Sequence, residues 1–128
     1  MAEVREFQVT IDCAVPARVA RFWCDVLGYV AEPVPEDSAW AACTDPTGKG
    51  PRLYFQRVPE AKTVKNRVHL DVRVGVGLVG DERLAALDAE CARLIDLGAT
   101  RVRLLPAGDG DESCMVMQDV EGNEFCLD

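Results

Sequence analysis

Apolar and polar residues change places along this chain with two different periods, and the order of those periods is itself repeated. Residues 5–13 alternate with period two, with Phe7, Val9, Ile11 and Cys13 on one face and Gln8, Thr10 and Asp12 on the other. That is the pattern of a half-buried strand. Pro16 then opens a stretch in which Val15, Val19, Phe22, Trp23, Val26 and Leu27 recur at helical spacing, and Gly28 is placed to end it. Short strands are predicted over Tyr29–Val34, stopped by Pro33 and Pro35, then over Trp40–Thr44 and Leu53–Val58. The turn Asp45-Pro46-Thr47-Gly48 separates the last two.

The order starts again at 67–74. Val68, Leu70, Val72 and Val74 point one way, and Arg67, His69, Asp71 and Arg73 the other. A helix is predicted from about Asp81 to Leu97, burying Leu84, Leu87, Cys91, Leu94 and Ile95 and ended by Gly98. Strands follow at Thr100–Leu105, Cys114–Gln118 and Asn123–Leu127, with a Gly- and Asp-rich loop over Pro106–Glu112. The segment Ala20-Arg21-Phe22-Trp23-Cys24-Asp25-Val26-Leu27-Gly28 matches Ala92-Arg93-Leu94-Ile95-Asp96-Leu97-Gly98 across a two-residue gap. Asp45-Pro46-Thr47-Gly48 likewise matches Asp119-Val120-Glu121-Gly122. The chain is therefore read as one α+β domain over residues 1–128 built from two β-α-β-β-β repeats. Repeat one runs from about 5 to 58, a polar connector covers 59–66, and repeat two covers 67–128. Each helix must cover the apolar face of its own sheet, so the polar faces are expected to line a concave cup in a curved mixed sheet, helices outside.

Composition narrows the function classes. A net charge of −8 argues against nucleic acid, whose phosphates need concentrated Lys and Arg. No apolar run approaches the ~20 residues of a membrane span, and the Met1–Arg5 start is not that of a signal peptide, so a soluble cytoplasmic protein is expected. Six of the 14 basic residues (Lys49, Arg52, Arg57, Lys62, Lys65 and Arg67) crowd between positions 49 and 67, either as a solvated connector or as a site attracting an anionic ligand. The six cysteines lack C-x-x-C spacing and are read as reduced thiols used in the core, Cys126 excepted. Gly75-Val76-Gly77-Leu78-Val79-Gly80 matches G-x-G-x-x-G. With only two helices, and with Asp81 and Glu82 where a pyrophosphate would sit, it is read as a loop entering the second helix rather than a dinucleotide fingerprint.

Four segments together resemble the vicinal oxygen chelate superfamily, in its glyoxalase and bleomycin-resistance-like branch. They are Phe7-Gln8-Val9-Thr10-Ile11-Asp12-Cys13, Arg21–Tyr29, Val68-His69-Leu70-Asp71-Val72 and Asp119–Leu127, and they span nearly the whole chain. The resemblance implies a paired β-α-β-β-β cup and, in the family's enzymes, a divalent metal held by one residue from each of four strands. By position those ligands fall on Gln8, on or near Tyr54, on His69, and on Cys126 where the family usually has Glu. Glu124 is read as out of step with Cys126 and facing the other side of its strand.

With no carboxylate in the expected place, no metal is favoured. If one binds, the ligands are Gln8, His69 and Cys126, and the ion is Zn, Ni, Mn or Fe. His69 and Asp71 form the candidate catalytic pair, imidazole being the natural proton carrier near neutrality. The expected pocket comprises Gln8, Thr10, Asp12, Trp40, Tyr54, His69, Asp71, Met117 and Cys126. Two functions are implied: a homodimeric protein that binds a small molecule without an intact metal site, or a metal-dependent lyase, isomerase or dioxygenase of the same fold.

Overall fold

The computed structural model describes residues 1–108 and 112–128, so the loop predicted over Pro106–Glu112 lies partly outside the described residues. The chain forms two compact units, Met1–Ala61 and Lys62–Asp128, and the boundary falls inside the predicted connector. Each unit is a four-stranded mixed sheet with one helix.

In the first unit β1 (Val9–Cys13) leads into α1 (Pro16–Leu27), followed by β2 (Val30–Ala31), β3 (Trp40–Thr44) and β4 (Leu53–Arg57). The sheet order is β1-β4-β3-β2, with β1 parallel to β4 and the other pairs antiparallel. Pro16 occupies the first turn of α1, where a missing N–H does no harm, and Gly28 closes the helix at φ 71°. The helix buries Val19, Ala20, Phe22, Trp23 and Val26, and packs on β3 and β4, whose Ala41, Cys43, Leu53 and Phe55 are buried. Two expectations are corrected. Phe7 lies before β1 and is 70% exposed, and β2 is two residues long because Pro33 and Pro35 withdraw ladder donors on its C-terminal side.

The second unit repeats the plan: β5 (Asp71–Val72), α2 (Gly80–Asp96), β6 (Thr100–Leu105), β7 (Cys114–Gln118) and β8 (Glu124–Leu127), in the order β5-β8-β7-β6. β5 again pairs in parallel with the last strand, Asp71 opposite Cys126. It is shorter than the predicted 67–74. Val68, at 81% exposed, lies outside the β5–β8 ladder. α2 buries Leu87, Cys91 and Leu94 as expected, but Ile95 is exposed and Leu84 half-buried, while Arg83 is only 4% exposed. Positions 83, 87, 91 and 94 lie on one stripe of the helix, and Ile95 turns off its edge.

The two turns read as equivalent are built alike. The Asp45 carboxylate accepts from Thr47 N (2.7 Å) and Gly50 N (2.7 Å), and that of Asp119 from Glu121 N (2.8 Å) and Asn123 N (3.0 Å). The internal repeat therefore extends to the chemistry of its turns.

Candidate functional site

Strand parity decides what faces away from each helix. In the first unit the β1–β4 register pairs Thr10 with Tyr54 and Asp12 with Gln56, and Trp40 pairs with Gln56 across β3. Thr10, Asp12, Trp40 and Tyr54 therefore share the face opposite α1, and Gln8 lies just before β1. Trp40 and Tyr54 stack with ring centroids 5.8 Å apart, and Gln56 donates to Asp12 at 2.9 Å. Gln8 has little to offer a cation. Its Oε1, the only atom it could give a metal, accepts from Arg52 Nη1 at 3.0 Å, and the same guanidinium forks onto Glu32 at 2.7 and 3.0 Å. A fixed positive charge beside the oxygen opposes a second one.

In the second unit a cavity of about 690 Å³ opens on the face away from α2. β7 contributes Cys114, Val116 and Gln118 to it, while Met115 and Met117 on the opposite face are fully buried. Met117, expected in the pocket, is thus core. β8 contributes Glu124, Cys126 and Asp128. This corrects the placement of Glu124: residues two apart on a strand share a face, so Glu124 and Cys126 point the same way. β5 and the segment before it add Lys65, His69 and Asp71, and β6 with its following residue adds Val102, Arg103, Leu105 and Pro106.

The chemistry concentrates where β5 meets β8. His69 Nε2 lies 3.2 Å from Asp71 Oδ1, and one donor atom each from His69, Asp71 and Cys126 falls within a 4.8 Å group. The parallel register that sets Asp71 beside Cys126 creates this cluster. Burial pushes the Cys126 thiol up to about 11, helped by Cys114 and Asp71 and opposed by Lys65. Burial also raises the Cys114 thiol. Imidazole, carboxylate and thiol are a donor set that zinc accepts, so His69, Asp71 and Cys126 fit a divalent ion.

Glu124 is occupied differently. Its carboxylate takes Asn66 N at 3.0 Å, Lys62 Nζ at 3.0 Å and Gln118 Nε2 at 3.3 Å. Burial alone would raise its pKa, but these donors outweigh burial and hold the carboxyl at about 2. Asp128 is likewise committed, to Arg83 at 2.7 Å and Arg73 at 3.1 Å.

The glycine motif finds a structural use. Val74 N and Gly75 N donate to Asp128 O, so these amides are not available to a phosphate. A Cβ on Gly75 would sit 2.9 Å from Arg83 Nη1, which donates to Gly75 O at 2.9 Å. A side chain at this position would force the arginine to shift.

Of the residues lining this cavity, sequence reasoning had only His69, Asp71 and Cys126. Strand parity, counted from Cys126 and across to β7, adds Cys114, Val116, Gln118, Glu124 and Asp128, but not Lys65, Glu112 or the β6 residues Val102, Arg103 and Leu105 with Pro106.

No helix in the described residues is long and apolar enough to cross a membrane. No curated protein matches the sequence. Solved structures do match the fold. A mutant of the fosfomycin resistance protein FosX from Listeria monocytogenes, complexed with Mn(II) and 1S,2S-dihydroxypropylphosphonic acid, is 11% identical with a TM-score of 0.71, over 99% of this chain and 90% of that one. A glyoxalase/bleomycin resistance protein/dioxygenase family enzyme from Burkholderia phytofirmans is 17% identical with a TM-score of 0.66, over 94% of each chain. The hypothetical protein SA1046 from S. aureus is 12% identical with a TM-score of 0.68, over 98% and 94%. At these identities the likeness is one of fold. The sequence itself matches the glyoxalase-like domain family over residues 8–127, and with the doubled β-α-β-β-β plan this places the chain in that family, within the vicinal oxygen chelate superfamily.

Proposed function

We propose that this chain binds a small organic molecule in the cavity on the open face of its second sheet, with His69 and Asp71 as polar anchors. The observation that carries the reading is the position of the chain's one histidine, 3.2 Å from Asp71 and grouped with Cys126 on the wall of a cavity of about 690 Å³. That volume lies in the range of small-molecule sites, and an apolar wall with a few convergent polar groups is their usual composition. The test is a small-molecule fragment screen followed by amide chemical shifts of the intact chain. Hits are expected to move His69, Val116 and Cys126 together and to be lost in His69→Ala. Hits that map elsewhere, or that ignore the substitution, overturn the reading.

A second reading, a metal-dependent enzyme of the same family, is favoured by the donor group itself. His69, Asp71 and Cys126 would hold a divalent ion, which would polarise an oxygen of the bound molecule and leave Asp71 less free to act as a base. Elemental analysis of protein purified without chelator separates the two. About one zinc, nickel, manganese or iron per chain supports the second reading. None, with no rise in melting temperature on adding zinc or nickel, leaves the first.

A further inference from the structure

The charges lining the cavity are not balanced in the way its four carboxylates suggest. Glu124 is met by Lys62 at 3.0 Å, and Asp128 by Arg83 and Arg73 at 2.7 and 3.1 Å. Glu112 lies 3.8 Å from the same Arg83, and Asp71 faces His69. Lys62, Arg73 and Arg83 belong to the surrounding structure rather than to the lining. Two cations do line it, Lys65 and Arg103, and among the described residues neither has a carboxylate partner. Lys65 donates to the carbonyl of Asn66, at 3.4 Å.

Arg103 reaches this wall through an irregularity in β6. Arg101 pairs with Met117 and Arg103 with Val116, so Val102 is an extra residue in the ladder. Met117 belongs to the core face and Val116 to the cavity face. Continued alternation from Arg101 would have carried Arg103 to the core face. The bulge reverses the parity, and β-bulges commonly re-aim a side chain in this way. Leu105 turns to the cavity with it. A guanidinium with no carboxylate partner among the described residues is thus brought to the cavity beside Val102, Leu105 and Val116.

Resting on the pocket reading above, we propose that the cavity selects a small organic acid. Its carboxylate pairs with the guanidinium fork of Arg103, supported by the charge of Lys65, and its apolar body lies against Val102, Leu105 and Val116. A planar fork matches a carboxylate bidentately, and such charge-assisted bonds are the strong ones.

Matched probes of one shape test this on the full chain: benzoate, benzamide, benzylamine and phenyl phosphate, each titrated with amide chemical shifts as the readout. Benzoate is expected to move Val116 and Cys126 and to bind about tenfold or more tightly than benzamide or benzylamine, the usual size of a charged hydrogen bond. Arg103→Gln is expected to remove that preference and Arg103→Lys to keep part of it. Both substitutions are at an exposed position, so the fold should persist. Equal binding of benzoate and benzamide, or an unchanged preference in Arg103→Gln, overturns the organic-acid inference while leaving the pocket in place. Stronger binding of phenyl phosphate than benzoate overturns the carboxylate assignment in favour of a phosphate ester. If no probe moves the cavity residues, the pocket reading fails and this inference with it.

Discussion

Asn66 and Glu124 hold each other through three hydrogen bonds. The Asn66 amide nitrogen donates to Glu124 Oε1 at 3.0 Å, its Nδ2 donates to Glu124 O at 3.2 Å, and its Oδ1 accepts from Glu124 N at 2.7 Å. The side chain of Asn66 thus pairs with the backbone of β8 beyond the end of β5, as a strand residue would. It fastens the segment carrying Lys65 and His69 to the sheet. Because the Glu124 carboxyl is held at about 2 against an ordinary 4.5, its contribution is complete above about pH 5 and disappears as the pH falls toward 2. Urea denaturation from pH 7 to pH 2 should show a loss of about 2–3 kcal/mol that is missing in Glu124→Gln. Asn66→Ala should be destabilised by about 1–3 kcal/mol at pH 7. An acid profile unchanged by Glu124→Gln would mean that the carboxylate is not the fastener.

Arg83 makes a second lock, deeper in the unit. The residue is 4% exposed, and its guanidinium gives two bonds to Ser113 O at 3.1 and 2.7 Å and one to Gly75 O at 2.9 Å, and pairs with Asp128 at 2.7 Å. Removing one partner of a buried pair leaves the rest unpaired, so Arg83→Ala should cost about 3–5 kcal/mol by chemical denaturation. Gly75→Ala should weaken the same lock, since its Cβ would meet Arg83. A cost below about 1 kcal/mol for Arg83→Ala would show that the contacts are not holding the loop to α2.

The doubled fold was legible because each repeat writes it locally: period two, then period 3.6, then three short alternating runs, with Asp-x-x-Gly turns in matching places. Strand ends were less so: residues 67–70 alternate like a strand, yet the β5–β8 ladder holds only Asp71 and Val72, and which segments pair is not written in a local pattern. In the site, His69, Asp71 and Cys126 were readable as inward residues, although their grouping depends on the β5–β8 register, a pairing between distant segments. Glu124 was misread by one step of parity, and correcting the step restores it to the cavity face. Arg83 was hidden because a charged residue on a helix reads as solvated unless its partners are known, and those partners lie in three separate stretches. Arg103 could not have been placed at all, since the bulge at Val102 leaves no mark in the sequence.

The donor group at His69 makes a prediction that distinguishes a true metal site from a chance cluster. A metal takes cysteine as thiolate, and the Cys126 thiol sits at about 11, so binding must displace its proton at neutral pH. Each unit rise in pH therefore lowers the cost of ionising the thiol, and zinc affinity should climb about tenfold per unit between pH 7 and 8.5. Calorimetry in buffers of different ionisation enthalpy should count about one proton released per zinc. Cobalt in place of zinc should give a thiolate-to-metal charge-transfer band that Cys126→Ser abolishes. At a free zinc concentration a hundred times the dissociation constant the chain should gain about 2.7 kcal/mol of stability, and His69→Ala or Asp71→Asn should reduce the gain. If affinity is flat with pH and the charge-transfer band survives Cys126→Ser, the thiol is not a ligand. Its burial is then simply that of a core residue beside a His–Asp pair.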